Sequence, residues 1–109
     1  MGLPKDAEVI LWTRNGCGAC VRAKQFLSRK QVEFVEKRLK NDPVVQQAFS
    51  RTTGGARSVP QLIIGGQHIG GLDDVLQLEK TGELDVLLGR ADTMPSLTPF
   101  KRFLRWFGL

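Results

Sequence analysis

The chain has 109 residues, 41% of them hydrophobic and 25% charged, with a formal net charge of +5. These proportions fit one globular domain with its own core and exclude a wholly disordered chain. No apolar run reaches the roughly 20 residues that cross a bilayer. The opening stretch, Met1 to Asp6, has no apolar secretion core, so a cytoplasmic protein is expected. The basic balance favours anionic partners, yet no nucleic-acid motif accompanies it, and nucleic acid is not expected as a partner.

Residues 8–14 (EVILWTR) form a short apolar, β-branched run that predicts a strand, ended by Asn15-Gly16. From Gly18 to about Lys30 the period becomes helical, with Cys20, Ala23, Phe26 and Leu27 on one face. Residues 33–39 alternate around Phe34 and predict a second strand. Asp42 as N-cap and Pro43 at the first helical position open a second helix, with Val44, Val45, Ala48 and Phe49 as its apolar face and Thr53-Gly54-Gly55 as its end. Residues 60–64 and 67–69 predict two strands joined by a Gly65-Gly66 turn. Asp73-Asp74 open a helix running to about Lys80, and residues 83–88 form a further short helical piece. Strand–helix–strand crossovers predict parallel pairing and the Gly-Gly hairpin antiparallel pairing. The expected fold class is therefore α/β, a four-stranded mixed sheet flanked by helices in the order β-α-β-α-β-β-α.

Residues 92–109 differ in character. A Pro-containing linker precedes Thr98-Pro99, and Phe100, Phe103, Leu104 and Phe107 then recur at helical spacing beside Lys101, Arg102 and Arg105. The expected division is a domain over 1–91 and a C-terminal linker with a basic amphipathic helix over 92–109. Such a helix suits an anionic membrane surface, a groove on a protein partner, or this domain's own surface.

The chemistry concentrates at Cys17 and Cys20, the only cysteines. A single C-x-x-C with one distant histidine, His68, is too few ligands for a structural zinc site. Cys17 follows a buried-looking strand and stands at a helix start, where free N–H groups and partial positive charge stabilise a thiolate, the form that attacks disulfides. Arg14 and Arg22 lie nearby in sequence. Cys20, one turn on and on the apolar face, is expected to be less exposed. These positions assign Cys17 as nucleophile and Cys20 as resolving thiol.

The stretch Trp12-Thr13-Arg14-Asn15-Gly16-Cys17-Gly18-Ala19-Cys20 resembles the active-site segment of dithiol glutaredoxins, in the thioredoxin-like superfamily. Gly55-Ala56-Arg57-Ser58-Val59-Pro60, Ile69-Gly70-Gly71-Leu72-Asp73-Asp74 and Thr81-Gly82-Glu83-Leu84 are similar to three further family segments, in order, over roughly residues 7–89. The resemblance implies the thioredoxin-like fold and a glutathione-dependent thiol–disulfide oxidoreductase acting on disulfide-bonded or glutathionylated proteins. It implies a cis Val59–Pro60 bond facing Cys17, with Ser58 in the family's Thr/Ser position beside it. It implies that Arg14 and Arg57 hold the glycine carboxylate of glutathione, and that the Leu72 backbone and Asp73 carboxylate hold its γ-glutamyl end. Gly18 and Ala19 depart from the commoner C-P-Y-C. Loss of that proline accompanies, in the family, a [2Fe-2S] cluster bridged between two subunits by Cys17 and glutathione. A carrier or sensor of that kind is thus the alternative reading; without a cluster, a monomer that holds no metal is expected.

Overall fold

Strand β1 (Val9–Thr13) is buried on both faces, which is why it reads as a continuous apolar run. Val9 and Leu11 point into one core layer, Ile10 and Trp12 into the other. The computed structural model describes residues 7–90 and builds the rest of the fold around that strand. In chain order follow α1 (Gly18–Arg29), β2 (Val35–Arg38), α2 (Pro43–Thr53), β3 (Gln61–Ile64), β4 (Gln67–Gly70), α3 (Leu72–Thr81) and α4 (Glu83–Leu87). The expectations for residues 92–109 lie outside the described residues.

The sheet has the order β2-β1-β3-β4. β1 pairs with β2 in parallel, while β1–β3 and β3–β4 are antiparallel. The first crossover and the hairpin thus pair as expected. The second crossover does not give a parallel pair. Residues 54–60 carry the chain from α2 back to the end of the sheet where Cys17 lies, so β3 runs against β1 and β2.

Alternating positions of β1 and β3 feed two layers. Leu62 and Ile64 join Val9 and Leu11 beneath Ala23 and Leu27 of α1, Val75 of α3 and Leu84 of α4. Ile63 joins Trp12 and Phe49 of α2 on the opposite face, where the two aromatic rings meet edge to face at 5.3 Å. Leu27, Leu62 and Leu84 are at most 1% exposed; each such side chain contributes roughly 1.5–3 kcal/mol of burial.

Two expectations change at the sheet edge. β2 is shorter than residues 33–39 and wholly exposed, because it is an edge strand carrying Glu36, Lys37 and Arg38. Phe34, just before it, supplies the apolar contact. On α2 the buried residues are Phe49 and Thr53, whereas Ala48 is exposed and Val44 is 75% exposed. The helix touches the sheet mainly through its C-terminal half. Its ends are as expected: the Asp42 carboxylate accepts from Val44 N–H at 2.8 Å, and Gly54 closes it at φ 68°.

The α1 C-terminus is tied to the last helices by charge. The Lys30 ammonium, 14% exposed, lies 2.8 Å from carboxylate oxygens of both Glu79 and Asp85. Arg90 donates to the Lys30 and Gln31 carbonyls at 2.8 and 2.6 Å. Burial alone lowers the Lys30 pKa, but hydrogen bonds and charge from Asp85 and Glu79 outweigh it, and the net shift is upward. A raised lysine stabilises the fold fully below its unfolded value of about 10.4 and loses that contribution as pH rises through the folded value. Lys30→Met is expected to cost about 1–2 kcal/mol near neutrality, between exposed and buried ion pairs. In chemical denaturation the gap from wild type should close as pH climbs above about 10.4; a gap that widens there contradicts this account.

Candidate active site

Cys17 is the N-cap of α1, with extended backbone dihedrals (φ −101°, ψ 107°). Its Sγ accepts the Cys20 backbone N–H at 3.1 Å, so one of the helix's unpaired amides points at the sulfur. A partial positive charge and a donated hydrogen bond both favour the thiolate when the sulfur is free. Cys17 and Cys20 are joined by a disulfide, with Cα atoms 5.2 Å apart. Cys17 is half-buried and Cys20 is 2% exposed, so one sulfur meets solvent and the other meets the core. The expected difference in exposure is present.

A second chain segment meets Cys17, and a third meets that one. The Val59 carbonyl oxygen lies 3.7 Å from Cys17 Sγ, and the Val59–Pro60 bond is cis. The next contact leads to the α3 start: a methyl group placed on Gly71 would lie 3.5 Å from the Pro60 carbonyl. That distance is ordinary contact, and the glycine the backbone requires here is Gly70. Gly70 sits at φ 127°, and a Cβ there would collide with the Asp74 carboxylate, which accepts the Gly71 N–H at 3.0 Å. Asp74 thus caps α3 by reaching back, while Leu72 and Asp73 occupy its first turn with free N–H groups near them.

The remaining candidates sit around this junction. Arg14 leaves β1, and Arg57 and Ser58 lie in the loop before Val59; all three are exposed, as is Asp73. Arg14, Arg57 and Asp73 make no ion pair among the described residues, so their charges face solvent. Arg22 lies over the first helical turn, its Nη1 being 3.8 Å from where a Gly18 Cβ would stand. Gly18 itself is exposed and puts no side chain over the start of the helix beside Cys17.

One network was not foreseen from the sequence. Thr13, buried at the end of β1, donates to Glu36 Oε2 at 2.7 Å, and the Lys24 ammonium of α1 meets the same oxygen at 3.1 Å. Hydrogen bonds from Thr13, then Lys24, hold the Glu36 carboxyl below its ordinary range. The Lys24 and Arg38 charges add to this, against an upward push from burial. The bracket joins β1, β2 and α1 just below the thiol-bearing turn. The only sequence signal was a hydroxyl interrupting an apolar run. A second pair, His68 Nε2 and Gln61 Oε1 at 2.7 Å, sits on the hairpin.

A thioredoxin-like sheet with a half-exposed cysteine at a helix start, its partner buried one turn on, defines a thiol–disulfide oxidoreductase. Residues 9–69 match the glutaredoxin family, and the chain belongs to that family. It is 42% identical over 80 residues to a glutaredoxin of Pseudomonas aeruginosa, covering 73% of this chain and 94% of the other. The solution structure of glutaredoxin from Brucella melitensis is similar at TM-score 0.68 and 39% identity, covering 82% and 96% of the two chains. A buckwheat glutaredoxin–glutathione complex is similar at TM-score 0.66 and 29% identity, covering 75% and 76%.

A lowered carboxyl stabilises the fold above its unfolded value, about 4.3 for Glu, and loses this as pH falls through the folded value. Glu36→Gln should therefore lower the melting temperature at neutral pH, and the difference from wild type should shrink on acidification below about 4.3. A difference that persists unchanged to strongly acid pH contradicts the role given to this carboxylate.

Proposed function

We propose that the protein is a glutathione-dependent oxidoreductase that reduces protein disulfides and glutathionylated protein thiols, with Cys17 as nucleophile and Cys20 as resolving thiol. The observation that carries this reading is the asymmetry of the pair: Cys17 half-buried with an amide N–H on its sulfur, Cys20 sealed in the core. Only Cys17 is placed to attack an external sulfur.

On a glutathionylated protein, the Cys17 thiolate attacks the glutathione sulfur. A Cys17–glutathione disulfide forms, and the protein thiolate leaves. A second glutathione thiolate then attacks the glutathione sulfur of that disulfide, releasing glutathione disulfide and the Cys17 thiolate. On a protein disulfide, Cys17 forms a mixed disulfide with one sulfur, and the Cys20 thiolate displaces it. The reduced protein leaves, and the Cys17–Cys20 disulfide remains. Two glutathiones restore the dithiol and depart as glutathione disulfide.

Glutathione is held along the converging segments. The Arg14 and Arg57 guanidinium groups pair its glycine carboxylate. Ser58, Val59 and Pro60 line its extended backbone, with the Val59 carbonyl beside the reacting sulfur. The Leu72 N–H and Asp73 carboxylate take the carboxylate and ammonium of its γ-glutamyl end. The charges of Arg14, Arg57 and Asp73 that face solvent support this placement, as does the buckwheat glutaredoxin–glutathione complex. Domain limits of 1–91 and a cytoplasmic monomer accompany the reading.

The alternative, a carrier or sensor with a [2Fe-2S] cluster bridged between two subunits by Cys17 and glutathione, is favoured by Gly18, which puts no side chain beside Cys17. Such a cluster takes four thiolates. The described residues of one chain offer one accessible sulfur, Cys17, so the other three thiolates would come from Cys17 of a second copy and two glutathiones.

Cys17→Ser is expected to abolish glutathione-coupled reduction of both substrate types. Cys20→Ser should keep turnover of glutathionylated substrates and lose it on protein disulfides. Arg57→Ala or Asp73→Ala should raise KM for glutathione roughly tenfold, the loss of one charge-assisted contact. Full activity of Cys17→Ser overturns the reading.

A further inference from the structure

The layer beneath α2 holds a feature that this redox chemistry leaves unused. Between β2 and α2 lies an open groove of about 640 Å³. Trp12 and Val45 form its base, Val44 one wall, and Lys37, Arg38 and Lys40 its rim. Val44 is 75% exposed at the first turn of α2, an aliphatic side chain left in water. Trp12 is 3% exposed, and its indole N–H has no acceptor among the described residues. The Lys37 ammonium stands 5.8 Å from the Trp12 ring centroid, fixing positive charge over the apolar base. Glu36, the one acid there, is already engaged by Thr13, Lys24 and, at 3.7 Å, Arg38. Lys37 and Lys40 make no ion pair among the described residues.

The register fixes where the groove lies. Trp12 pairs with Lys37 and Thr13 with Arg38, so it opens at the C-terminal end of β1, from which the chain runs to Cys17. Three residues lie between Thr13 and Cys17, four steps of chain with a reach of at most about 14 Å. A ligand in the groove is thus within a few residues of a sulfur held at Cys17.

We propose that this groove docks an acidic, extended segment of the protein substrate, with an apolar side chain seated against Val44 and Val45 and acidic residues on Lys37 and Lys40. The proposal rests on the oxidoreductase reading and names a substrate class for it. The charge of the groove selects this occupant. The chain's own residues 92–109 carry Lys101, Arg102 and Arg105, and a second copy carries +5, so both meet repulsion at the rim. Four or five substrate residues bridge the groove and the attacked cysteine.

The test compares three glutathionylated substrates. One is a peptide with Leu and Asp/Glu residues four to six positions from its cysteine, one the same peptide with Asn/Gln in place of the acids, and one the mixed disulfide of cysteine and glutathione. Wild type should prefer the acidic peptide roughly tenfold in kcat/KM at low salt, with the preference shrinking as salt screens the charges. Lys37→Glu combined with Lys40→Glu should erase or invert that preference while leaving the small disulfide's rate unchanged, which also shows the variant to be folded. Val44→Ser should lower kcat/KM for the acidic peptide about threefold, as expected for one lost apolar contact. A wild type that turns over the small disulfide but treats both peptides alike overturns the proposal, and so does a double variant that keeps the preference. A wild type inactive on all three overturns the oxidoreductase reading and the proposal with it.

Discussion

The structure depends on one placement: the α1 N-terminus is set against the end of a strand buried on both faces. Val9, Leu11 and Trp12 hold β1 in two cores at once, so its end has little freedom. Cys17 follows as N-cap, and an amide of the first helical turn has its sulfur as acceptor. A helix must leave its first N–H groups without backbone partners. Here a sulfur takes one of them, and the cost of an open helix end becomes stabilisation of a reactive anion.

Everything else keeps that end of the sheet assembled. The Thr13–Glu36–Lys24 bracket locks β1, β2 and α1 together immediately below it. α2, capped by Asp42 and closed by Gly54, delivers the following loop so that the Val59 carbonyl faces Cys17. Gly70, at a φ of 127°, lets the chain turn into α3, where a side chain would strike the Asp74 that caps the helix. At the far end, Lys30 and Arg90 bind the last helices to α1. These contacts fasten the elements around the reactive turn to one another, while Arg14, Arg57 and Asp73 remain in solvent.

Much of this was legible in the sequence, and the rest was hidden for physical reasons. Local signals carried over best: the Asn15-Gly16 break, the Asp42-Pro43 start and the Gly65-Gly66 turn each act within a few residues. The cysteine pair was legible because a turn of helix fixes both its spacing and its unequal burial. The α2 face was misjudged at Val44 and Ala48, since periodicity shows which residues share a side but not how far along its axis a helix touches its neighbour. The direction of β3 was also hidden. A crossover helix predicts a parallel return only when the chain comes back to the starting end of the sheet, and here residues 54–60 end at the opposite one. Glu36 looked like one charge among several on a predicted strand; its role comes from Thr13 and Lys24, which are distant in sequence.

The account stands on Cys17 being the activated, accessible sulfur. The direct measurement is competitive alkylation of the reduced native protein with iodoacetamide at neutral pH, located by peptide mapping, with free glutathione as reference thiol. The account predicts label at Cys17 alone, faster than at glutathione, with Cys20 reacting only after denaturation. Label at Cys20 in the native state, or a Cys17 no more reactive than glutathione, contradicts it.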